Sequence, residues 1–229
     1  MSRLPIFIFF LLIVFLANDV FASDSTKIKR GYILSISAGL TNNTVYGSMV
    51  DRNNQFGTNV KMENRGGYAI NVNIEKNLST YFFFQTGLNF IHKQVNPMVN
   101  TTAIYQDELK TDYLSIPIKV GVNLFPEKNT LNFALTVGTL TNLRIKDNSK
   151  IGPDRVAFKS AALSESLCGG VQINLIASPN SKLFLQYNYT YDISNSYTET
   201  LYWSSEEPHK DFIYKNKTHI ITLGYQWHL

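Results

Sequence analysis

The sequence predicts an all-β fold, an eight-stranded antiparallel up-and-down β-barrel that crosses a membrane, and three observations predict it. Eight runs alternate apolar and polar residues with period two, which is strand periodicity. The apolar stripes of those runs contain no Asp, Glu, Lys or Arg. The connections between runs alternate between short and long, the pattern of a transmembrane barrel with short periplasmic turns and long extracellular loops.

The runs follow in order. Gly31 to Leu40 sets Tyr32, Leu34, Ile36, Ala38 and Leu40 on one face. Gly67 to Lys76 opposes Tyr68, Ile70, Val72 and Ile74 to Ala69, Asn71, Asn73 and Glu75. Tyr81 to His92 opposes Phe82, Phe84, Thr86, Leu88 and Phe90 to Phe83, Gln85, Gly87 and Asn89. Tyr113 to Phe125 carries Leu114, Ile116, Ile118, Val120, Val122 and Leu124 against Ser115, Lys119, Gly121 and Asn123. Leu131 to Leu143, Leu167 to Leu175, Leu183 to Tyr191 and Thr218 to Leu229 repeat the pattern. Runs of this length suit a tilted strand crossing, which takes ~9–11 residues. Short turns are expected at Asn77–Thr80, Pro126–Asn129 and Ser178–Ser181, all rich in turn formers. Long polar loops are expected at Thr41–Gly66, Lys93–Asp112, Lys146–Ser166 and Asp192–Lys217.

Alternation alone does not say which face is wet, because a soluble β-sandwich or lipocalin-like barrel would bury the apolar stripes instead. Composition decides. Charged residues make up 17% of the 229 residues, against ~25% in an average soluble domain. The polar stripes are built of Asn, Gln, Ser, Thr and Gly, where a solvated sheet face would carry Lys and Glu. Glycines recur on that polar face at Gly39, Gly67, Gly87, Gly121, Gly138, Gly170 and Gly224. On a solvent face they would only weaken the strands; around the axis of a narrow barrel they make room. Aromatic residues gather near strand ends, as at Tyr187, Tyr189, Tyr191 and Tyr225-Gln226-Trp227, in the manner of an interfacial girdle.

Residues 1–22 read as a signal peptide, with Arg3 before an apolar core from Leu4 to Leu16 and a cleavage site at Val20-Phe21-Ala22. Residues 23–30 are then a short periplasmic segment, and residues 31–229 the barrel domain, located in the outer membrane. Cys168 is the only cysteine, so no intramolecular disulfide and no cysteine-based zinc site is possible. The net charge of +4 carries no clustered basic stripe, which argues against nucleic acid as a partner.

Tyr113-Leu114-Ser115-Ile116-Pro117 followed by Lys119 resembles the Tyr-Leu-x-Ile-Pro segment of the PorT-like outer-membrane β-barrel family of Bacteroidota. Gly67-Tyr68-Ala69-Ile70 and Gly224-Tyr225-Gln226-Trp227 are similar to strand patterns of that family. The resemblance covers most of the chain beyond residue 22, and it implies location more firmly than activity. The family's founding member is implicated in protein secretion across the outer membrane.

No residue pattern points to catalysis, a cofactor or a metal. The histidines, His92, His209, His219 and His228, have no ligand spacing, and no Gly-x-Ser-x-Gly elbow accompanies the loop serines. A lipid-modifying enzyme is the sharper alternative, with His219 on the outer rim and Ser205 or Thr218 as its nucleophile. The main expectation is a non-enzymatic monomeric barrel in contact with outer-membrane lipids, with an envelope or secretion-machinery protein as partner. Eight strands leave an interior just wide enough for side chains to fill. Lys119, Glu75, Asn71, Gln85 and Asn89 are its structural candidates, with Gln172 and Asn188 also packing it shut. Lys119, mid-strand and away from both water layers, needs a hydrogen-bond partner, expected among Glu75, Asn71, Gln85, Asn89 or a lumen water. Pro117 cannot donate to a ladder, so a bulge or a local break in pairing is expected there.

Overall fold

The structure, a computed structural model, describes residues 31–49, 60–99, 102–103, 109–125, 131–147, 156–178, 180–202 and 208–229. The expected signal peptide and the segment 23–30 lie outside the described residues. Among the described residues the chain forms strands and no helix. In chain order these are β1 (Tyr32–Met49), β2 (Val60–Asn77), β3 (Phe82–Val99), β4 (Thr102–Ala103), β5 (Leu109–Asn123), β6 (Leu131–Asp147), β7 (Val156–Ser160), β8 (Leu163–Ser178), β9 (Ser181–Asp192), β10 (Tyr197–Tyr202) and β11 (Pro208–His228).

Eight of them are the staves of a closed antiparallel barrel, each paired with its neighbours in the order β1, β2, β3, β5, β6, β8, β9, β11. The ring closes where β1 pairs β11, from Ile33↔His228 up to Met49↔Phe212. Closure satisfies every stave on both sides, as a hydrocarbon environment requires. All eight expected strands are present; of the three expected tight turns the one at Asn77–Thr80 is fully described and lies between β2 and β3, while Pro126–Asn129 and Pro179 lie outside the described residues. At the described turn, the Ser79 hydroxyl accepts from the backbone N–H groups of Tyr81 (3.2 Å) and Phe82 (3.0 Å).

Burial settles which face is wet. Leu40 and Leu223 are 73% and 64% exposed on the outside, while Ser115 and Thr222 are fully buried inside. A soluble sandwich or lipocalin-like barrel would have the reverse, so those two readings are set aside. The inverted arrangement is that of a barrel whose solvent is lipid.

The long connections differ from expectation. Residues assigned to polar loops continue as strand: β1 runs on to Met49, β2 starts at Val60, β3 reaches Val99 and β11 begins at Pro208. β10 pairs with the upper part of β11, and β7 pairs with β10. Together with β1, β2 and β3 they raise one wall of the barrel above the membrane, and β4 adds a short pair to β3. Both faces of such a sheet lie above the bilayer, so apolar and polar residues need not alternate there, and the sequence signal fades although pairing continues.

At Pro117 the β5–β6 ladder continues through Pro117↔Leu140. On the other side the β3–β5 ladder pairs Thr86↔Ile118 and Asn89↔Ser115 in one register, with no pairs between them. The proline therefore makes a gap in the ladder and no bulge, and Thr86 Oγ1 donates to the Pro117 carbonyl across it (2.9 Å).

Candidate functional site

The polar stripes meet inside the barrel, and the lumen is where the sequence places its candidate residues. All five turn inward and are buried: Lys119 is 5% exposed, Glu75 7%, Asn71 5%, Gln85 2% and Asn89 7%. Strand stagger brings Glu75, near the end of β2, level with mid-strand Lys119, because each pairs with Gln85 on β3. The partner of Lys119 is nevertheless none of the expected four. Its Nζ donates to Asn188 Oδ1 at 3.0 Å, on β9, three staves around the ring. Small neighbours make this possible. Gly138 sits beside Lys119 on β6, and a β-carbon at Gly170 would meet Thr136 Oγ1 at 3.0 Å and collide with Asn188 itself. The amine therefore crosses the interior instead of lying along its own wall. Asn71, meanwhile, donates from Nδ2 to Ser37 Oγ on the adjacent β1 (2.9 Å).

Toward the long-loop end a second polar chain crosses four staves. Ser115 Oγ donates to Asn142 Oδ1 (2.6 Å), Asn142 Nδ2 to Ser166 Oγ (2.8 Å), and Ser166 Oγ to Asp192 Oδ1 (2.5 Å). Ser196 donates to the other carboxylate oxygen of Asp192, which is only 1% exposed. On the neighbouring stave β3, the buried Lys93 places Nζ 5.2 Å from the centre of the Tyr113 ring on β5. Sequence reasoning put Asp192 and Lys93 at the starts of loops. The available signal was parity: Lys93 continues the face of Phe83, Gln85, Asn89 and Ile91, and Asp192 that of Gln186, Asn188 and Thr190.

Toward the short-turn end two phenyl rings fill the lumen where strands offer no side chain. Phe83 lies over its cross-strand partner Gly121, and Phe184 over its partner Gly224. A β-carbon at either glycine would strike the ring, so these glycines are required by packing and not by backbone conformation. Below them a polar cavity of about 220 Å³ opens between Glu75, Lys182, Asn123, Asn132, Gln226 and His228.

On the outer rim the Thr218 form of the alternative enzyme site is not assembled. His219 Nδ1 is hydrogen-bonded to the Tyr187 hydroxyl (2.7 Å), and the ring lies 5.2 Å from that of Tyr189. Thr218, adjacent in the strand, points the opposite way and is fully buried in the lumen, so it cannot serve as nucleophile to His219. Ser205 lies outside the described residues. Among the described residues no cluster of three His, Cys, Asp or Glu side chains could hold a metal ion.

The fold is similar to solved outer-membrane barrels. The outer membrane protein OprG from Pseudomonas aeruginosa superposes with a TM-score of 0.58 at 10% identity, covering 90% of this chain and 100% of that one. The outer membrane protein AlkL, solved in DMPC lipid bilayers, gives 0.50 at 11% identity, covering 91% and 94%. At such identities the likeness concerns the fold alone. No curated protein matches the sequence. The sequence model described as outer membrane protein beta-barrel domain matches residues 21–198, most of the chain. With polar residues buried, apolar residues turned outward and a ring closed within one chain, the protein belongs to the outer membrane protein beta-barrel domain family and resides in the outer membrane.

Proposed function

We propose that the protein is a non-enzymatic, monomeric barrel with a side-chain-filled lumen, and that it works through the wall raised above the membrane as an envelope or secretion accessory. The observation that carries this reading is the hydrogen bond from Lys119 to Asn188, which crosses the barrel interior at mid-height. The Ser115–Asn142–Ser166–Asp192 chain lies above it and the Phe83 and Phe184 rings below. A lumen occupied at three heights leaves little for solute passage. The staves offer no open edge, because β1 and β11 pair with each other. What remains for recognition is the sheet of β7, β10 and the upper parts of β11, β1, β2 and β3. Resemblance of Tyr113–Pro117, Gly67–Ile70 and Gly224–Trp227 to the PorT-like family of Bacteroidota supports the secretion-accessory form of this reading.

Two measurements test it together. Reconstituted in a planar bilayer, the protein should show no stepwise conductance, and steady channels would end the closed-lumen reading. In cells, a photocrosslinker at Thr200 in β10 should capture a discrete envelope protein. One at Val137, on the lipid-facing stripe and 61% exposed, should not. Equal capture from both positions would remove the raised wall as the working surface.

A further inference from the structure

The cavity at the short-turn end carries two charges that the packing of the lumen leaves unused. It lies below the Phe83 and Phe184 rings and opens beside Ser79 and Thr80, in the turn between β2 and β3. Thr80 at this mouth is exposed. Among the described residues, the titratable side chains of the lining are Glu75, Lys182 and His228. His228 has an interaction of its own. Glu75 on β2 and Lys182 on β9 stand three staves apart around the ring. They attract each other across the cavity, yet no hydrogen bond or ion pair joins them.

The groups around these two charges divide into acceptors and donors. Glu75 is 7% exposed, and its carboxylate accepts no hydrogen bond among the described residues. A carboxylate withdrawn from water and left without a donor is costly. Asn132, 6% exposed on β6, donates from Nδ2 to Asn123 Oδ1 (3.3 Å), which leaves its own Oδ1 as an acceptor without a donor. Gln226 on β11 is the cross-strand partner of Lys182, so a carboxamide and an ammonium stand side by side there. Neither has a hydrogen-bond partner among the described residues. The cavity thus presents acceptors from Glu75 and Asn132, and donors from Lys182 and Gln226.

From this arrangement we propose that the cavity binds an α-amino-acid group, an ammonium and a carboxylate borne on one carbon. The ammonium donates to the Glu75 carboxylate and to Asn132 Oδ1. The carboxylate accepts from Lys182 Nζ and the Gln226 amide. Charge then alternates in sign from Glu75 through the ligand to Lys182, so each neighbouring pair attracts. A lone cation would satisfy Glu75 but face Lys182, and a lone anion would meet the reverse. Entry is from the short-turn side and needs no passage through the lumen, so the site stands or falls independently of the accessory reading.

The test uses the full barrel, labelled with nitrogen-15, in phosphatidylcholine nanodiscs, with side-chain amide shifts of Asn132 and Gln226 followed by NMR during titration. L-Alanine should give saturable shifts and bind at least about tenfold tighter than ethylamine or propionate, which each carry one of its charges. Glu75→Gln should weaken alanine by at least about tenfold while strengthening propionate, and Lys182→Gln should weaken alanine while strengthening ethylamine. This reciprocal pattern separates recognition from a merely structural loss. Should Glu75→Gln fail to fold, as read by gel mobility, the half-buried Lys182 still carries its arm of the test. Lys76→Gln, next to Glu75 in the strand and so on the outer face, should change nothing. Nε-Acetyl-lysine carries the same head on a longer tail. Its exclusion would assign a small free amino acid, and binding equal to alanine the end of a longer molecule reaching in from the periplasm; both results support recognition of the head. Absence of a saturable shift with alanine, equal binding of ethylamine or propionate, or an equal loss with Lys76→Gln overturns the proposal.

Discussion

In its lower half β11 turns Ile221, Leu223 and Trp227 outward to lipid and Thr218, Thr222 and Gln226 into the lumen. In its upper half it pairs with β10 on one side and β1 on the other, with both faces above the bilayer. The lower half is determined twice, by pairing and by two unlike media, since a one-residue slip would exchange every lipid-facing side chain for a polar one. The upper half is held in place by pairing alone. Substitutions should therefore be severe below and mild above, and the contrast can be pressed at several points.

The largest effect is expected on the lipid face. Val120→Arg places a charge in the hydrocarbon at a cost of about 2–4 kcal/mol, and should abolish insertion into vesicles as read by heat-modifiable gel mobility. Asn123→Arg, on the lumen face and lining the polar cavity, should still insert. Equal failure of both would erase the distinction between the faces.

Next comes the lumen bond. Asn188→Leu leaves the buried Lys119 amine without its acceptor and should destabilise the barrel by about 1.5–3 kcal/mol in urea unfolding from vesicles. Adding Lys119→Met should restore much of that loss, and strictly additive effects would show that the two side chains do not interact. Gly121→Ala pushes a β-carbon into the Phe83 ring and should cost about 1–3 kcal/mol. In a Phe83→Ala background the same change should cost little.

The smallest effect belongs above the membrane. Thr198→Pro removes a donor from β10, where Thr198 pairs with Ile213 and Lys159. It should detach that strand locally, yet change barrel unfolding by less than about 0.5 kcal/mol. A loss as large as that of Asn188→Leu would mean that the raised wall and the barrel fold as one unit.

These differences also explain what could be read from the residues. Where lipid lies on one side of a strand and a polar lumen on the other, alternation named all eight staves, their inward faces and the burial of Lys119. Above the bilayer both sides are wet, so the continuation of β1 to Met49 and the strands β7 and β10 left no period to find. Side-chain partners inside the lumen depend on stagger, which no single strand encodes. Asn188 could not be matched to Lys119, nor Phe83 to Gly121, until register across several strands was known. Asp192 and Lys93 were passed over for a simpler reason, as charged residues beside polar stretches look like the start of a loop.

The inverted arrangement of faces is tested most directly by a spin-label scan along β11, from Lys217 to His228, in a Cys168→Ser background reconstituted in phosphatidylcholine vesicles. Labels at Ile221, Leu223 and Trp227 should collide freely with oxygen dissolved in the bilayer. Labels at Thr222 and Gln226 should be immobilised and shielded from it, giving a period of two. High oxygen accessibility at Thr222 and Gln226, with Ile221 and Leu223 shielded, would contradict the account and return the apolar stripes to the interior of a soluble barrel.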